Sequence, residues 1–308
     1  MPEVSVVIPT RSRSRMLAVA LRSALSQRDA DLEVIVVDDG STDDTEAMVA
    51  AMSDPRVHLI RDEVSGGVSA ARNRGIAAAV GEWVAFLDDD DVWAPDKVVR
   101  QLDAATAAGR KWVYAGDVNV DSNLRILDGA SPPPPDEVVA SLQRFNAVPS
   151  GASNVVVRAD LLAAAGNFDP QLTTNEDWDM WIRLASYGAP AWVCRPLVAL
   201  RIHPDSASLN MPKILEEMDI IAHRYSLPVD RPRHLRWAAW TVLRAGRRCE
   251  ALRYYGRAVA LGDFKSALRA GVALIHPGLP AQRAQEPAND WTDEARSWID
   301  RLAGPDPL

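Results

Sequence analysis

The sequence predicts an α/β fold in which a Rossmann-like, mostly parallel central sheet is flanked by helices and followed by an α-helical C-terminal region. Short apolar runs alternate with amphipathic helical patterns over the first 120 residues, which is typical of a parallel sheet with helices on both faces. Strand patterns stop near residue 212, and helical periodicity dominates beyond it. An apolar content of 47% with 25% charged residues indicates a packed globular protein and excludes a disordered chain.

The elements of the first 120 residues follow from these patterns in chain order. Predicted strands span 4–8, 32–37, 57–61, 83–87 and 112–115. Predicted helices span 14–27, 43–53, 69–80 and 96–108. The strands are apolar runs, of which 57–61 is the weakest, and the helix at 14–27 carries apolar residues at helical spacing. The strands at 4–8 and 32–37 are therefore expected to be buried.

The remaining chain is divided by a proline-rich segment. Residues 131–137 contain four prolines, which predict a surface loop. Beyond it we predict strands at 154–157 and 192–200 and helices at 158–165, 178–187, 212–225, 234–246, 249–261, 263–275 and about 292–302. The predicted division is an N-terminal domain of residues 1–211, with halves 1–115 and 116–211, and a helical region of residues 212–308.

Charge is distributed unevenly along the chain. Residues 1–211 hold 19 Lys+Arg and 30 Asp+Glu, a net charge of -11, whereas residues 212–283 hold 13 and 6, a net charge of +7. An acidic major domain argues against nucleic-acid binding and favours a site that uses carboxylates. For the basic region the alternatives are a solvated face, a contact with the acidic domain, a second subunit in a homo-oligomer, or an anionic membrane surface.

The cellular location is predicted from three negative signals. The chain has two distant cysteines, starts without a secretory leader pattern, and has no apolar run long enough to span a membrane. We therefore expect a cytoplasmic protein, with association at the inner membrane face as the alternative.

Polar residues follow three of the predicted strands, at 9–11, 38–41 and 88–91. In open parallel sheets ligands bind at the carboxyl ends of the strands. Four consecutive aspartates, Asp88 to Asp91, would repel one another without a counter-charge. A divalent cation, Mg²⁺ or Mn²⁺, would relieve this repulsion; an exposed acidic turn is the alternative.

Three further features could contribute to a site. A glycine-rich loop at 65–69 enters a helix that carries Arg72 and Arg74, which could bind a diphosphate, although the loop matches no dinucleotide or P-loop motif. Acids at 176–179 open another helix, either as caps or with one of them as an ionised general base. His203 follows the last predicted strand.

These motifs, taken together and in order, resemble glycosyltransferase family 2, whose members are nucleotide-sugar-dependent enzymes of the GT-A type fold. The similarity covers about residues 3–208 and leaves 212–308 uncovered. The matching segments are 4–10, 36–42, 67–75, 86–95, 166–172, 175–184 and 200–206.

The resemblance implies roles for particular residues. The nucleotide sugar would be bound by Pro9, Arg11, Asp38, Asp39, Arg72, Arg74, Asp88 and Asp89. The metal would be bound by Asp90 and Asp88, with His203 completing the site as in some members. Asp177 matches the general base. Arg11 stands where the family commonly has Tyr, and the metal-binding pair can be assigned as Asp88 and Asp90 or as Asp89 and Asp91; we choose the first.

The function implied is a metal-dependent, inverting transfer of a sugar from a nucleoside-diphosphate sugar, with a UDP-sugar favoured, to an acceptor hydroxyl. The acceptor class, whether saccharide, lipid-linked or natural product, is left open. Two alternatives are a nucleotidyltransferase acting on a sugar phosphate and a non-catalytic nucleotide-sugar-binding module.

Overall fold

The computed structural model describes residues 1–203, 206–244, 246–275 and 289–302. The chain forms two compact units. The first comprises residues 1–142, 146–202 and the segment from 288 onward, and the second comprises 143–145 and 203–287. The last helix therefore belongs to the first unit, and the predicted boundary at 211 stays a prediction.

The amino-terminal half of the first unit is a parallel sheet, as the sequence predicts. Its strands are β1 (Val4–Thr10), β2 (Leu32–Asp39), β3 (Val57–Asp62) and β4 (Trp83–Phe86), in the order β3-β2-β1-β4. The connecting helices are α1 (Ser14–Leu25), α2 (Thr45–Ala51) and α3 (Val68–Ala78). Thr10 pairs with Asp38, and Asp39 with Asp62, so the strands end together at one edge.

The rest of the sheet is mixed, so antiparallel pairs join the parallel ones that the sequence predicts. Its strands are β5 (Val92–Trp93), β6 (Trp112–Val120), β7 (Ile126–Ala130), β8 (Val156–Arg158) and β9 (Ala191–Arg201). Strand β8 lies antiparallel between β4 and β6, and only β6 and β9 pair in parallel here. Among the described residues the sheet has nine strands. Strand β8 overlaps the strand predicted at 154–157, whereas β5 and β7 lie outside the predicted strands.

Four helices complete this half of the first unit, namely α4 (Lys97–Ala108), α5 (Pro135–Leu142), α6 (Ala159–Ala165) and α7 (Glu176–Tyr187). The predicted loop at 131–137 is shorter than expected, because Pro135 begins α5. Proline is favoured at the first position of a helix, where its missing N–H has no intrahelical partner. Residues 151–154 form a 3-10 turn, which includes Asn154, the first residue of the strand predicted at 154–157.

The glycine-rich loop is held against the sheet by close packing of α3. A side chain at Gly75 would collide with the side chain of Val7 on β1. Glycine at this position lets α3 lie directly on the sheet, with Ala71 buried among Ile35 and Val37 of β2. This contact fixes the N-terminus of α3, and therefore the loop before it, beside the carboxyl ends of β1 and β2.

The last helix, α12 (Asn289–Leu302), packs on the second half of the sheet. The indole N–H of Trp291 donates to the Asp117 carbonyl (3.0 Å), and that of Trp298 to the Pro196 carbonyl (3.2 Å). Arg195 pairs with Glu294 at 2.5 Å. These contacts explain why the helix belongs to the first unit although it follows the second in sequence.

The second unit is helical, as predicted for this part of the chain. It contains α8 (Met211–Tyr225), α9 (Arg231–Arg244), α10 (Arg248–Ala260) and α11 (Phe264–Ile275). Its buried side chains include Met218, Ile221, Leu235 and Tyr255. Within the described part of the chain, no helix combines the length and apolar character needed to cross a bilayer.

Candidate active site

The first component of the site is the glycine-rich loop, which is anchored by Asp39 at the end of β2. One oxygen of this buried carboxylate accepts the Gly66 amide (2.7 Å), and the other accepts the Gly67 amide (3.0 Å) and the Ser65 hydroxyl (2.5 Å). Asp39 therefore fixes the loop. Each oxygen can accept more than one hydrogen bond, so this role leaves room for a ligand donor.

Asp38 is also buried and terminates β2 in a tight turn. Its Oδ1 accepts the Ser41 amide at 2.8 Å, and its Oδ2 lies 3.7 Å from Nε of Arg61. Pro9 lies buried at the end of β1, in register with Val37, and Arg11 follows that strand as an exposed residue. The structure thus brings Pro9, Arg11, Asp38 and Asp39 to the same edge of the sheet.

The side chains of the four consecutive aspartates point in two directions. Ligand oxygens of Asp88, Asp90 and Asp91 lie within 4.8 Å of one another. Asp89 points elsewhere: its carboxylate accepts the Thr10 hydroxyl (2.7 Å) and pairs with Arg13 (3.2 Å). The acidic cluster of Asp88, Asp90 and Asp91 is therefore the part of this turn that could hold a divalent cation.

The acidic cluster is held from behind by Ser153, in the 3-10 turn before β8. The Ser153 hydroxyl donates to Asp91 Oδ2 (2.5 Å) and accepts the Asp88 amide (3.0 Å). The other oxygen of Asp91 accepts the Arg201 amide from β9 (2.9 Å). Two distant segments thus set the spacing of these carboxylates.

Burial raises the pKa values of two carboxyls in this turn. Burial is the main cause at Asp91, whose pKa lies well above its ordinary value, and the charges of Asp90 and Asp88 add to it. The pKa of Asp89 rises to about 7, mainly through burial and then through the charge of Asp90. The charges of Asp88 and Asp90 act on the buried Asp91, and a cation would relieve this repulsion.

Arg72 connects the acidic cluster to α7. Its guanidinium, only 3% exposed, donates to Asp88 (2.6 Å) and to Glu176 (2.5 Å), and it lies 5.3 Å from the ring centre of Phe168. Although burial opposes the charge, Asp88 and Glu176 raise the pKa of Arg72 above its ordinary value. Arg72 is therefore committed to two protein carboxylates and positions both.

Asp177 lies in the first turn of α7, next to Glu176. Its Oδ2 accepts the Asn146 side-chain amide (2.8 Å), and its Oδ1 accepts the Trp178 amide (2.6 Å). Burial, and secondarily the charge of Glu176, raises its pKa to about 7. Burial and the charge of Glu176 thus favour the neutral acid more than a helix N-terminus alone would, and the role of Asp177 as a base stays a prediction.

The other two predicted residues make contacts of their own. Arg74 is half exposed and pairs with Asp62 at the end of β3. His203 is buried in the second unit, and its amide donates to the Ser206 hydroxyl (3.1 Å). Its place in a metal site stays a prediction.

Several site residues were missed by the sequence reasoning. Arg13 pairs with Asp89 and Asp90, Ser153 supports the acidic cluster, and Glu176 pairs with Arg72. Arg201 is buried, and its Nε and Nη2 have no hydrogen-bond partner among the described residues. Burial lowers the pKa of Arg201 despite the nearby Asp91, Asp90 and Asp89. Two of these residues could have been found from their position in the sequence, because Arg13 lies just beyond a strand end and Glu176 lies beside Asp177. Nothing in the sequence indicated Ser153.

Comparison with known proteins agrees with this arrangement. Residues 5–136 match the model of the family described as glycosyl transferase family 2. The chain is 42% identical over 130 residues to the succinoglycan biosynthesis protein ExoO of Rhizobium meliloti, covering 42% of this chain and 36% of that protein. It is 27% identical over 230 residues to an Escherichia coli β-1,3-glucosyltransferase, WfaP, covering 71% and 88%.

Solved structures show the same fold. Staphylococcus aureus TarS (residues 1–349) in complex with UDP-GlcNAc has a TM-score of 0.59 at 16% identity, covering 98% of this chain and 89% of that one. A mannosyltransferase of Pyrobaculum calidifontis in complex with GDP-Man and Mn²⁺ has a TM-score of 0.55 at 18% identity, covering 98% and 86%. The fold is therefore of the GT-A type.

Taken together, the fold, the site and the relatives define a glycosyltransferase. Residues 5–136 therefore resemble glycosyltransferase family 2. The comparisons confirm the fold class and the enzyme class that the sequence predicts, and they support the predicted family.

Proposed function

We propose that the chain is a metal-dependent, inverting glycosyltransferase that moves a sugar from a nucleoside-diphosphate sugar to an acceptor hydroxyl. The observation that carries the proposal is the connection, through Arg72, of the acidic cluster to the turn that holds Glu176 and Asp177. The proposed diphosphate-binding centre is thus tied by hydrogen bonds to Glu176, the neighbour of the proposed base Asp177.

The acidic cluster fits a divalent cation, Mn²⁺ or Mg²⁺. Its three carboxylates supply the oxygen ligands that such cations prefer, and Asp90 and Asp88 would hold the ion directly. A bound cation would neutralise the charge that develops on the departing nucleoside diphosphate. Asp89, which is tied to Thr10 and Arg13, would support the strand end instead.

Asp177 would act as the general base. In a single displacement the acceptor oxygen bonds to the anomeric carbon while the bond to the diphosphate breaks, and the configuration inverts. The acceptor proton passes to Asp177, and the electron pair of the broken bond leaves with the diphosphate. Because Asn146 holds one oxygen of Asp177 at 2.8 Å, the carboxylate keeps a fixed direction. A base with a pKa of about 7 suits proton transfer near neutral pH.

We propose a UDP-sugar as donor, bound through Pro9, Arg11, Asp38 and Asp39. TarS was solved with UDP-GlcNAc and WfaP is named for UDP-Glc, whereas the archaeal neighbour holds GDP-Man. WfaP transfers to a diphosphoundecaprenol-linked sugar, so a lipid-linked saccharide is the acceptor class we favour. The chain covers only 36% of ExoO, so the proposal does not include the activity of that whole protein.

The test is turnover and binding by the full chain. With Mn²⁺ and a panel of UDP- and GDP-sugars, we expect nucleoside diphosphate to be released and one donor to raise the melting temperature. Asp177→Asn should lose more than 90% of turnover, more than about 1.4 kcal/mol at the barrier, and still bind the donor. Asp103→Asn, an exposed acid of α4, is the matched control. A demand for nucleoside triphosphate, binding without release, or an active Asp177→Asn would contradict the proposal.

A further inference from the structure

The second unit carries an exposed apolar stripe on and before α11. Phe264 is 78% exposed, Leu268 75%, Leu261 53% and Val272 39%. At about 100° per residue, Phe264, Leu268 and Val272 lie within an arc of about 80° on one face of the helix. Large apolar side chains this exposed and this close together mark an interaction surface.

A basic, aromatic pocket of about 360 Å³ lies on the same unit. It is lined by Arg233, Arg236, Trp237 and Trp240 of α9 and by Arg269 of α11. Arg236 is paired with Asp263, whereas Arg233 lies over the ring of Phe145 at 3.7 Å. Among the described residues, Arg233 and Arg269 form no ion pair, so these two cations are available to an anion.

Arg269 connects the pocket to the stripe. On the wheel of α11, Lys265 and Arg269 lie along one edge of the stripe, about 20° and 60° beyond Val272. The pocket, to which Arg269 contributes, is therefore on that edge. The surrounding sequence is strongly basic, since residues 212–283 carry a net charge of +7.

We propose that this surface, formed by the α11 stripe and the basic pocket, docks on an anionic lipid bilayer. An apolar helix face beside Lys and Arg is the pattern of a helix that lies in the membrane interface. The apolar side chains enter the headgroup region, the arginines bind lipid phosphates, and the indoles of Trp237 and Trp240 lie at the polar boundary where tryptophan is favoured. This inference concerns attachment and does not depend on the transfer reaction.

The positive charge of this surface argues against the main alternative partner, a second copy of the chain. A two-fold dimer through this face would place the same patch of each copy against the other. Arg233, Lys265 and Arg269 would then face their own counterparts, while Asp263, whose charge acts on Arg269, is already paired with Arg236. An anionic surface instead complements all three.

The experiment is cosedimentation of the full chain with phosphatidylcholine vesicles, with and without 30% phosphatidylglycerol, at low and high salt. The wild type should bind the anionic vesicles at low salt and not the neutral ones. Phe264→Ser/Leu268→Ser should weaken binding more than tenfold, and Arg233→Gln/Arg269→Gln about 25-fold, since each cation near an anionic surface strengthens adsorption about fivefold. Because these side chains are exposed or lie at the surface, the fold should be retained, which circular dichroism checks.

Matched controls come from the first unit. Val80→Ser removes a side chain that is 52% exposed, and Arg28→Gln/Arg110→Gln makes the same charge change at two exposed sites; both should bind as the wild type does. Failure of the wild type to bind anionic vesicles would overturn the proposal. So would equal weakening by the control pair, or sedimentation velocity showing a dimer that Phe264→Ser/Leu268→Ser dissociates while vesicle binding is unchanged.

Discussion

Replacing Arg72 with Met tests how the network is held together. The guanidinium is 3% exposed and binds Glu176, which is 8% exposed, and Asp88, which is 33% exposed. Removing the cation leaves Glu176 buried with no counter-charge, and breaking such a pair costs about 3–5 kcal/mol. Asp88 reaches solvent, so the loss of its ion pair adds little to the free-energy cost. We therefore take the lower figure, about 3 kcal/mol.

In a unit of about 200 residues, this loss corresponds to a fall of about 6–12 °C in melting temperature at pH 7. The double variant Arg72→Met/Glu176→Gln should recover much of it, because the buried charge is gone. The pKa of Glu176 is already raised, mainly by burial, and losing Arg72 raises it further. An acid whose pKa is higher folded than unfolded favours the folded state as pH falls, so the deficit of Arg72→Met should shrink towards pH 5.

Differential scanning calorimetry of the wild type, both single variants and the double variant measures these melting temperatures as a double-mutant cycle. A shift below 2 °C in Arg72→Met would refute the reasoning. So would a double variant that melts no higher than Arg72→Met, or a deficit that grows as pH falls.

Three further predictions follow from the same structure. The rate at low donor concentration should rise with pH through about 7 and level above it, because Asp177 must be ionised to accept a proton; a pH–rate profile checks this, and a flat profile from pH 5 to 9 would contradict it. Ser153→Ala should weaken Mn²⁺ binding about 10–100-fold, since it removes the support of Asp91; calorimetric titration with Mn²⁺ measures the loss, and unchanged affinity would show that Ser153 does not position the cluster. Trp298→Ala should destabilise the first unit by about 3–5 kcal/mol, because this side chain is buried against the sheet; exposed Trp237→Ala is its control, and equal melting temperatures for both variants would contradict the packing of α12.

The edge of the sheet that holds the site was predictable from the sequence. Strands β1, β2 and β4 are continuous buried runs, and each leads into polar residues. Parallel pairing alone then brings their ends together. The orientation within the aspartate run was not predictable, because it depends on a turn closed by the Asp91 amide on the Asp88 carbonyl. That turn directs Asp91 towards Asp88 and Asp90, and Asp89 towards Thr10.

Contacts between segments that are distant in the chain could not be predicted from the sequence. Arg72 and Glu176 are separated by 104 positions, and Trp291 and Asp117 by 174. Nothing in either local pattern indicates its partner. The pKa of Asp177 likewise depends on burial by residues far along the chain, which is why a helix N-terminus alone suggested a lower value.

The most direct test of the central claim is the dependence of nucleoside diphosphate binding on the acidic cluster. Calorimetric titration should be run with UDP, and with GDP if UDP fails, on the full chain in Mn²⁺ and in EDTA. It should be repeated with Asp90→Asn and with Asp103→Asn as the control. We predict binding in Mn²⁺ that is at least tenfold weaker in EDTA and in Asp90→Asn, and unchanged in Asp103→Asn. Equal affinity under all four conditions would contradict the account.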